Sequence, residues 1–313
     1  MSHHKKTVVL MNLGGALDSN GVQDFLFQLF NDPFILPYSR FPRWLLAQLI
    51  SRVRKSKTQA IYRSISPVGG SPIYQNTLDQ AQALEALMGC KVFVAMRYAP
   101  PFIHNVVREV YATSPDEIIL VPLYPQYSMT TTQPALQAWF QASSQYELVP
   151  TRWIPYFYDH PLFLQSYADL IRPFYEEASA YGKPKILLSS HGLPVSLVAK
   201  GDPYPVQVQA GGKALAEILG CDVDVCYQSR VGPKKWLEPS LGQALEEAGR
   251  LGSPVVVVPF AFVSEHSETL YELDIEYKEF AHKCGVPYYG RVPALGSYPP
   301  FVELLSNLVS GCH

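Results

Sequence analysis

The chain has 313 residues, 48% hydrophobic and 17% charged, which is apolar material for one large core or for two domains of ordinary size. Its 25 basic and 27 acidic side chains leave a formal net charge of −2, so nucleic acid is not drawn to it by charge alone. Five cysteines without CxxC spacing argue against a zinc ribbon or a disulfide framework and fit a reducing cytoplasm, and no apolar run reaches the roughly 18 to 20 residues needed to span a bilayer.

The N-terminal MSHHKKTVVLMNLGG passes from a few polar residues straight into a strand, TVVLMNL at 7–13, without the apolar core and cleavage site of a signal peptide. Gly14 and Gly15 follow that strand but lack the full GxGxxG spacing, so a dinucleotide site has little support. Segment 34–57, FILPYSRFPRWLLAQLISRVRKSK, sets aromatic and aliphatic side chains before Arg52, Arg54, Lys55 and Lys57. It fits a core helix with a solvated basic end, and also a surface lip that meets lipid or an apolar ligand.

Further along, short apolar runs bounded by Gly and Pro alternate with segments of helical period, the pattern of βα units on a parallel sheet. Strands are predicted at 91–97, 117–124, 185–191, 224–229, 254–262 and 286–292, and helices include 76–88, 102–111, 161–180, 206–219, 240–250 and 267–283. The later strands echo the earlier ones. EIILVPLYPQYSMTT resembles PVVVVPFAFVSEHSETL, VFVAMRYAP resembles VCYQSRVGP with Arg97 matched to Arg230, and VVLMNLGG resembles ILLSSHGLP with Asn12 beside His191.

The expectation is an α/β protein of two similar Rossmann-like lobes with parallel sheets, the N-terminal lobe over 1–155 with a lip insertion at about 20–75, the C-terminal lobe over 156–313. Ligands of open α/β sheets bind at the carboxyl ends of the strands, which would put the active site in the cleft between the lobes, with His191, Arg97, Tyr124, Arg230 and Phe262 facing it.

In SEHSETLYELDIEYKEF, 264–280, Glu265, Glu268, Glu272, Glu276 and Glu279 would align on one helical face, with Leu270, Leu273, Tyr277 and Phe280 opposite. Like charges at these spacings cost about 0.2–0.5 kcal/mol per pair, so the row is either a solvated face or the holder of a divalent cation. His266 and Glu268 favour the second reading, since such a pair can ligate metal and carry protons. His191, at a strand end before Gly192, fits either a core histidine or a proton acceptor. The GDPYP element at 201–205 reads as a rigid turn in which Asp202 bonds its own backbone.

Seven motifs together resemble the ferrochelatase family over nearly the whole chain: VLMNLGG, YRSISPVGGSP (62–72), MRYAPP (96–101), YPQYSMTTT (124–132), SSHGLPVSLVAKGDPYP (189–205), YQSRVGPKKWLEPS (227–240) and PFAFVSEHSETLYELDIEY (259–277). The resemblance implies a lyase of haem biosynthesis that inserts Fe(II) into protoporphyrin IX and releases two protons, in the chelatase-type two-lobe fold. It implies His191 and Glu268 as the catalytic pair, iron contacts from the same two with Glu272 and Glu276, and porphyrin contacts from Leu13, Arg54, Tyr62, Arg97, Tyr98, Ser128, Phe262 and His266.

Fe(II) is then a substrate. No 2Fe-2S cluster is expected, because Met129 stands where cluster-bearing members have a cysteine and Cys312 is alone near the end. The family also includes users of coproporphyrin III, which stays open as the substrate; a bilobal haem- or metal-holding protein without chemistry and a cobalt chelatase for a sirohydrochlorin-type ring are further alternatives. The expected setting is the cytoplasm, as monomer or homodimer without nucleic acid, with a peripheral inner-membrane contact through 34–57.

Overall fold

A computed structural model describes residues 5–229 and 234–311. The chain divides into a first unit of Met1–Tyr124, Ser128–Pro155 and Leu305–His313, and a second of Pro125–Tyr127 and Tyr156–Leu304. Arg230 lies outside the described residues, as do His3, His4 and Cys312.

The first unit is built on β1 (Lys6–Asn12), β2 (Lys91–Met96), β3 (Glu117–Pro122) and β4 (Thr151–Trp153), all parallel in the order β2-β1-β3-β4. The second carries β5 (Lys185–His191), β6 (Val223–Gln228), β7 (Val255–Val258) and β8 (Tyr289–Arg291), parallel in the order β6-β5-β7-β8. Both units therefore place their first strand centrally, the second on one side and the third and fourth on the other. The sequence echo has a topological counterpart, and the two α/β units with parallel sheets are as expected.

Strands buried on both faces read as continuous Val/Ile/Leu runs. VVLM of β1, IILV of β3 and VVVV of β7 obey this, each residue fully buried. One face of the first sheet packs Val9, Met11 and Leu120 against helices Ile103–Ala112 and Thr132–Ser143, with Trp139 at the centre. The equivalent face of the second packs Leu187, Val255 and Val257 against helix Leu241–Leu251 and Leu273. Helix Leu241–Leu251 starts in a capping box, Ser240 accepting from the Gln243 N–H while the Gln243 side chain takes the Ser240 N–H.

The units differ most after their first strands. β1 and β2 are separated by helices Val22–Phe30, Arg40–Ile65 and Ile73–Met88, whereas β5 and β6 are separated by a short helix, Val195–Val198, and helix Tyr204–Leu219. The GDPYP turn starts the last of these: the Asp202 carboxylate accepts from the Tyr204 N–H at 3.0 Å. Gly14 and Gly15 serve packing: Gly14 has φ +87°, and a Cβ on Gly15 would stand 2.5 Å from that of Ser71.

Segment 34–57 does not form a core helix. In helix Arg40–Ile65, Phe41, Leu45, Leu49 and Val53 form a stripe at four-residue spacing that is 72, 55, 59 and 72% exposed. Tyr38 and Trp44 widen it, and Arg52 and Lys57 are exposed at its basic end. Exposed apolar stripes of this size mark a surface that meets lipid, ligand or protein. No helix among the described residues is long and apolar enough to cross a membrane.

Candidate active site

β5 ends in His191, and its register partner on β6 is Gln228. The chain then turns tightly: the Gly192 N–H donates to the Gln228 carbonyl at 2.7 Å, and a Cβ on Gly192 would meet that oxygen at 2.8 Å. Glycine is required there by the close approach of two backbones. On the other side of β5, β7 stops at Val258 because Pro259 cannot continue the ladder. The buried Tyr167 hydroxyl lies 2.9 Å from both the Pro259 and Phe262 carbonyls, fixing the turn that carries Phe262, His266 and Glu268 to the same strand ends.

There His191 Nδ1 stands 2.9 Å from Glu268 Oε2, and His266 Nε2 stands 3.9 Å from the same oxygen. The Phe262 ring packs on His266 with centroids 4.7 Å apart. Burial disfavours charge on His191, but the Glu268 carboxylate, its hydrogen bond and Glu272 outweigh it and hold the imidazole above its ordinary value. Burial likewise opposes the Glu268 charge, yet His191 and His266 bring it down to about 2. The 2.9 Å contact therefore favours the charged form of both partners. His266 is lowered by burial, against the pull of Glu268 and Glu265, and stays neutral.

Glu272 lies one helical turn on. Burial and the like charge of Glu268 raise it to about 7, against hydrogen bonds from Ser229 and Gln228 and the charge of His191. The Ser229 hydroxyl donates to Glu272 Oε2, and Gln228 Nε2 donates to the same atom at 3.2 Å and to the Glu268 carbonyl at 2.9 Å.

The predicted acidic row is corrected in part. Residues Glu268–Tyr277 form a π-helix, followed by the α-helix Lys278–Lys283. Glu265 precedes both and is withdrawn from the row: the half-buried Arg291 on β8 needs counter-charge, and takes Glu265 at 2.5 Å together with Asp274. Glu276 is on the helix and exposed, and Glu279 is exposed 3.9 Å from Lys283. The apolar side holds: Leu273 is buried, with Tyr277 and Phe280 against the same core. π-helical turns gather at functional sites. Here carbonyls along the helix receive donors from elsewhere in the unit, Glu268 from Gln228 and Leu273 from the Tyr289 hydroxyl at 2.7 Å.

The other predicted residues lie in the first unit. Arg97 follows β2 and pairs with the buried Asp32 at 2.5 Å, and the Tyr98 hydroxyl donates to the same carboxylate oxygen at 3.0 Å. Tyr62 and Tyr98 are 3 and 1% exposed in a core cluster with Phe25 and Leu26, and Leu13 lies at its edge. Arg54 stacks over the Phe30 ring at 5.6 Å. Ser128 is buried, its hydroxyl 2.9 Å from that of Thr130.

Gln228, Ser229, Ser189 and Asp32 were not read as site residues. A signal existed for Gln228: an amide at the buried end of a strand, where the echoed strand has Ala95, calls for partners. Asp32 gave none, since its partner is 65 residues away in sequence.

Two α/β units of matching strand order, one bearing a His–carboxylate pair at its strand ends, define a chelatase-type protein. In overall fold it is similar to the sirohydrochlorin chelatase SirB from Bacillus subtilis subspecies spizizenii in complex with cobalt, with a TM-score of 0.60 and 11% identity over 98% of this chain and 95% of that one. A family model described as ferrochelatase matches residues 5–312. A ferrochelatase of Wolbachia sp. subsp. Drosophila simulans (strain wRi) is 45% identical over 97% of this chain and 98% of its own length, and one of Phenylobacterium zucineum is 42% identical over 98 and 91%. The chain belongs to the ferrochelatase family: metal chelatases, of the lyase class, that insert ferrous iron into a porphyrin in haem biosynthesis.

Proposed function

We propose that this chain inserts Fe(II) into protoporphyrin IX, with His191 taking protons from the pyrrole N–H groups and Glu268 receiving the metal. The observation that carries the reading is the 2.9 Å contact between His191 and Glu268 at the ends of adjoining segments. An imidazolium must lose its proton before it can accept another, and a divalent cation arriving at Glu268 replaces it as counter-charge. Metal arrival thus frees the base: the proton on His191 passes to water as Fe(II) binds, His191 takes one pyrrole proton and passes it to water, then takes the second and is imidazolium again once the product leaves, so that a net two protons are released as iron enters.

Among the described residues no three His, Cys, Asp or Glu side chains form a ready metal cage. An open pair suits a metal that must be handed on. Glu272 and Glu276 are assigned to its approach, and Phe262 and His266 to the porphyrin. Leu13, Arg54, Tyr62, Arg97, Tyr98 and Ser128 are assigned to the porphyrin and its propionates on the strength of the family motifs. No iron–sulfur cluster is invoked.

The exposed stripe Phe41–Val53 supports protoporphyrin over the more polar coproporphyrin III, as an entrance suited to an apolar ring beside a membrane surface. Mixing the protein anaerobically with Fe(II) and either ring, and following the porphyrin absorbance, tests both points. Protoporphyrin should be metallated with the higher kcat/KM. A higher value with coproporphyrin reverses the substrate assignment, and turnover of neither ring removes the enzymatic reading.

Peripheral membrane contact through 34–57 is part of the proposal. The chain should sediment with anionic lipid vesicles, and replacing any one of Phe41, Leu45 or Val53 by Ser should weaken binding by about 10- to 100-fold, as expected for losing one buried apolar side chain of about 1.5–3 kcal/mol. Unchanged binding in all three variants would assign the stripe to something other than lipid.

A further inference from the structure

We infer that Gln228 is a positioning residue for metal delivery, the side chain that fixes the carboxylate of Glu272 relative to the His191–Glu268 pair. The inference rests on the chelatase reading above but is carried by hydrogen bonding alone. Gln228 is fully buried at the end of β6. An amide in that place is tolerated only when its donors and acceptor are all used. Here they are: Oε1 accepts from the buried Ser189 hydroxyl at 2.6 Å, and Nε2 donates to the Glu268 carbonyl at 2.9 Å and to Glu272 Oε2 at 3.2 Å.

The orientation of the amide follows from its neighbours. Reversing it would set the amide oxygen 2.9 Å from the Glu268 carbonyl, which has no hydrogen to offer, so the orientation with Nε2 toward that carbonyl is the one compatible with the site. The backbone of the same residue accepts from Gly192, directly after His191. Gln228 therefore ties together three pieces that chemistry at this site requires: the His191 turn through its carbonyl, the first turn of the π-helix through the Glu268 carbonyl, and the second carboxylate through Glu272 Oε2.

Ser229 reinforces the last tie. It holds φ +62°, a conformation uncommon for a residue other than glycine, and its hydroxyl donates to the same oxygen. Both donors thus converge on Glu272 Oε2, and no described residue donates to Oε1. The carboxylate is anchored by one oxygen and presents the other, the arrangement by which an outer hydrogen bond orients a ligand toward metal.

The test is steady-state kinetics on the full chain with Fe(II) and porphyrin varied independently. Gln228→Met keeps the volume and removes both donors. It should raise KM for Fe(II) by about 10- to 100-fold, the usual effect of losing an orienting partner, while the porphyrin dissociation constant measured without metal stays within about twofold. Ser229→Gly keeps the positive φ at no cost and removes only the second donor, so it should raise KM for Fe(II) by a smaller factor and fold normally.

A purely structural amide would lower the active fraction, and so kcat, without moving KM for iron. An unchanged iron KM in both variants overturns the proposal, as does an equal rise in both substrates' constants. If Gln228→Met does not fold, Ser229→Gly decides alone. An inactive wild-type protein would refute the chelatase reading, whereas an active one with iron-indifferent variants refutes only the role of Gln228.

Discussion

His191→Ala is expected to reduce the rate of iron insertion by about 10²- to 10⁴-fold, the contribution usual for a positioned general base. The side chain is at a strand end and partly exposed, so its loss opens no cavity in the core. What it removes is the partner that holds Glu268 near pKa 2 and the acceptor for the pyrrole protons. Anaerobic porphyrin absorbance gives the rate, and a thermal melt shows whether the fold persists.

The pH profile provides an independent check. Because His191 must be neutral to accept a proton and is held above its ordinary value of 6.5, wild-type activity should climb as pH rises through that raised value. The variant should lack this limb. Stability runs differently. The raised histidine contributes fully below 6.5 and less as pH rises through its folded value; the depressed Glu268 contributes fully above 4.5 and less as pH falls toward 2. The ion pair therefore supports the fold best between about pH 4.5 and 6.5, on the acid side of its best catalysis. A variant with a rate within a factor of a few of wild type would take His191 out of the chemistry.

The strands and the pair were legible because local signals coincide with them. TVVLMNL, KILLSSH and PVVVV are apolar runs bounded by Gly and Pro, and His191 and Glu268 stand where such runs stop. β4 was missed because three residues, Thr151–Trp153, are too few to show a period. The helix at 267–283 follows from spacings of three and four, which are those of an α-helix; that Glu268–Tyr277 is π-helical does not show in them, and two of its carbonyls take donors from Gln228 and Tyr289, remote in sequence. Glu265 was misplaced for a similar reason. Its periodicity matched the row, whereas its position is set by Arg291, 26 residues later. What sequence conceals here is the partner choice of buried polar groups, and that choice turns an amphipathic pattern into a site.

Glu272→Gln should make the protein more stable at pH 8 and leave it unchanged near pH 4. The carboxyl is raised from 4.5 to about 7 by burial and by the charge of Glu268. A group whose carboxylate is disfavoured in the fold destabilises it once pH exceeds the unfolded value, and the penalty is complete above the folded one. At about 1.4 kcal/mol per pKa unit, that cost at pH 8 is of order 3 kcal/mol, or several degrees of melting temperature. Gln removes the charge and still offers an oxygen to Ser229 and Gln228, so their hydrogen bonds survive. The same change withdraws an anion from the path assigned to Fe(II), and iron insertion should slow as stability rises. Melts at the two pH values, run beside the metallation assay, distinguish this from generic effects. A shift of equal size at both, or destabilisation at pH 8, would mean that Glu272 is ionised without cost, and the strain attributed to two neighbouring carboxylates would have to be discarded.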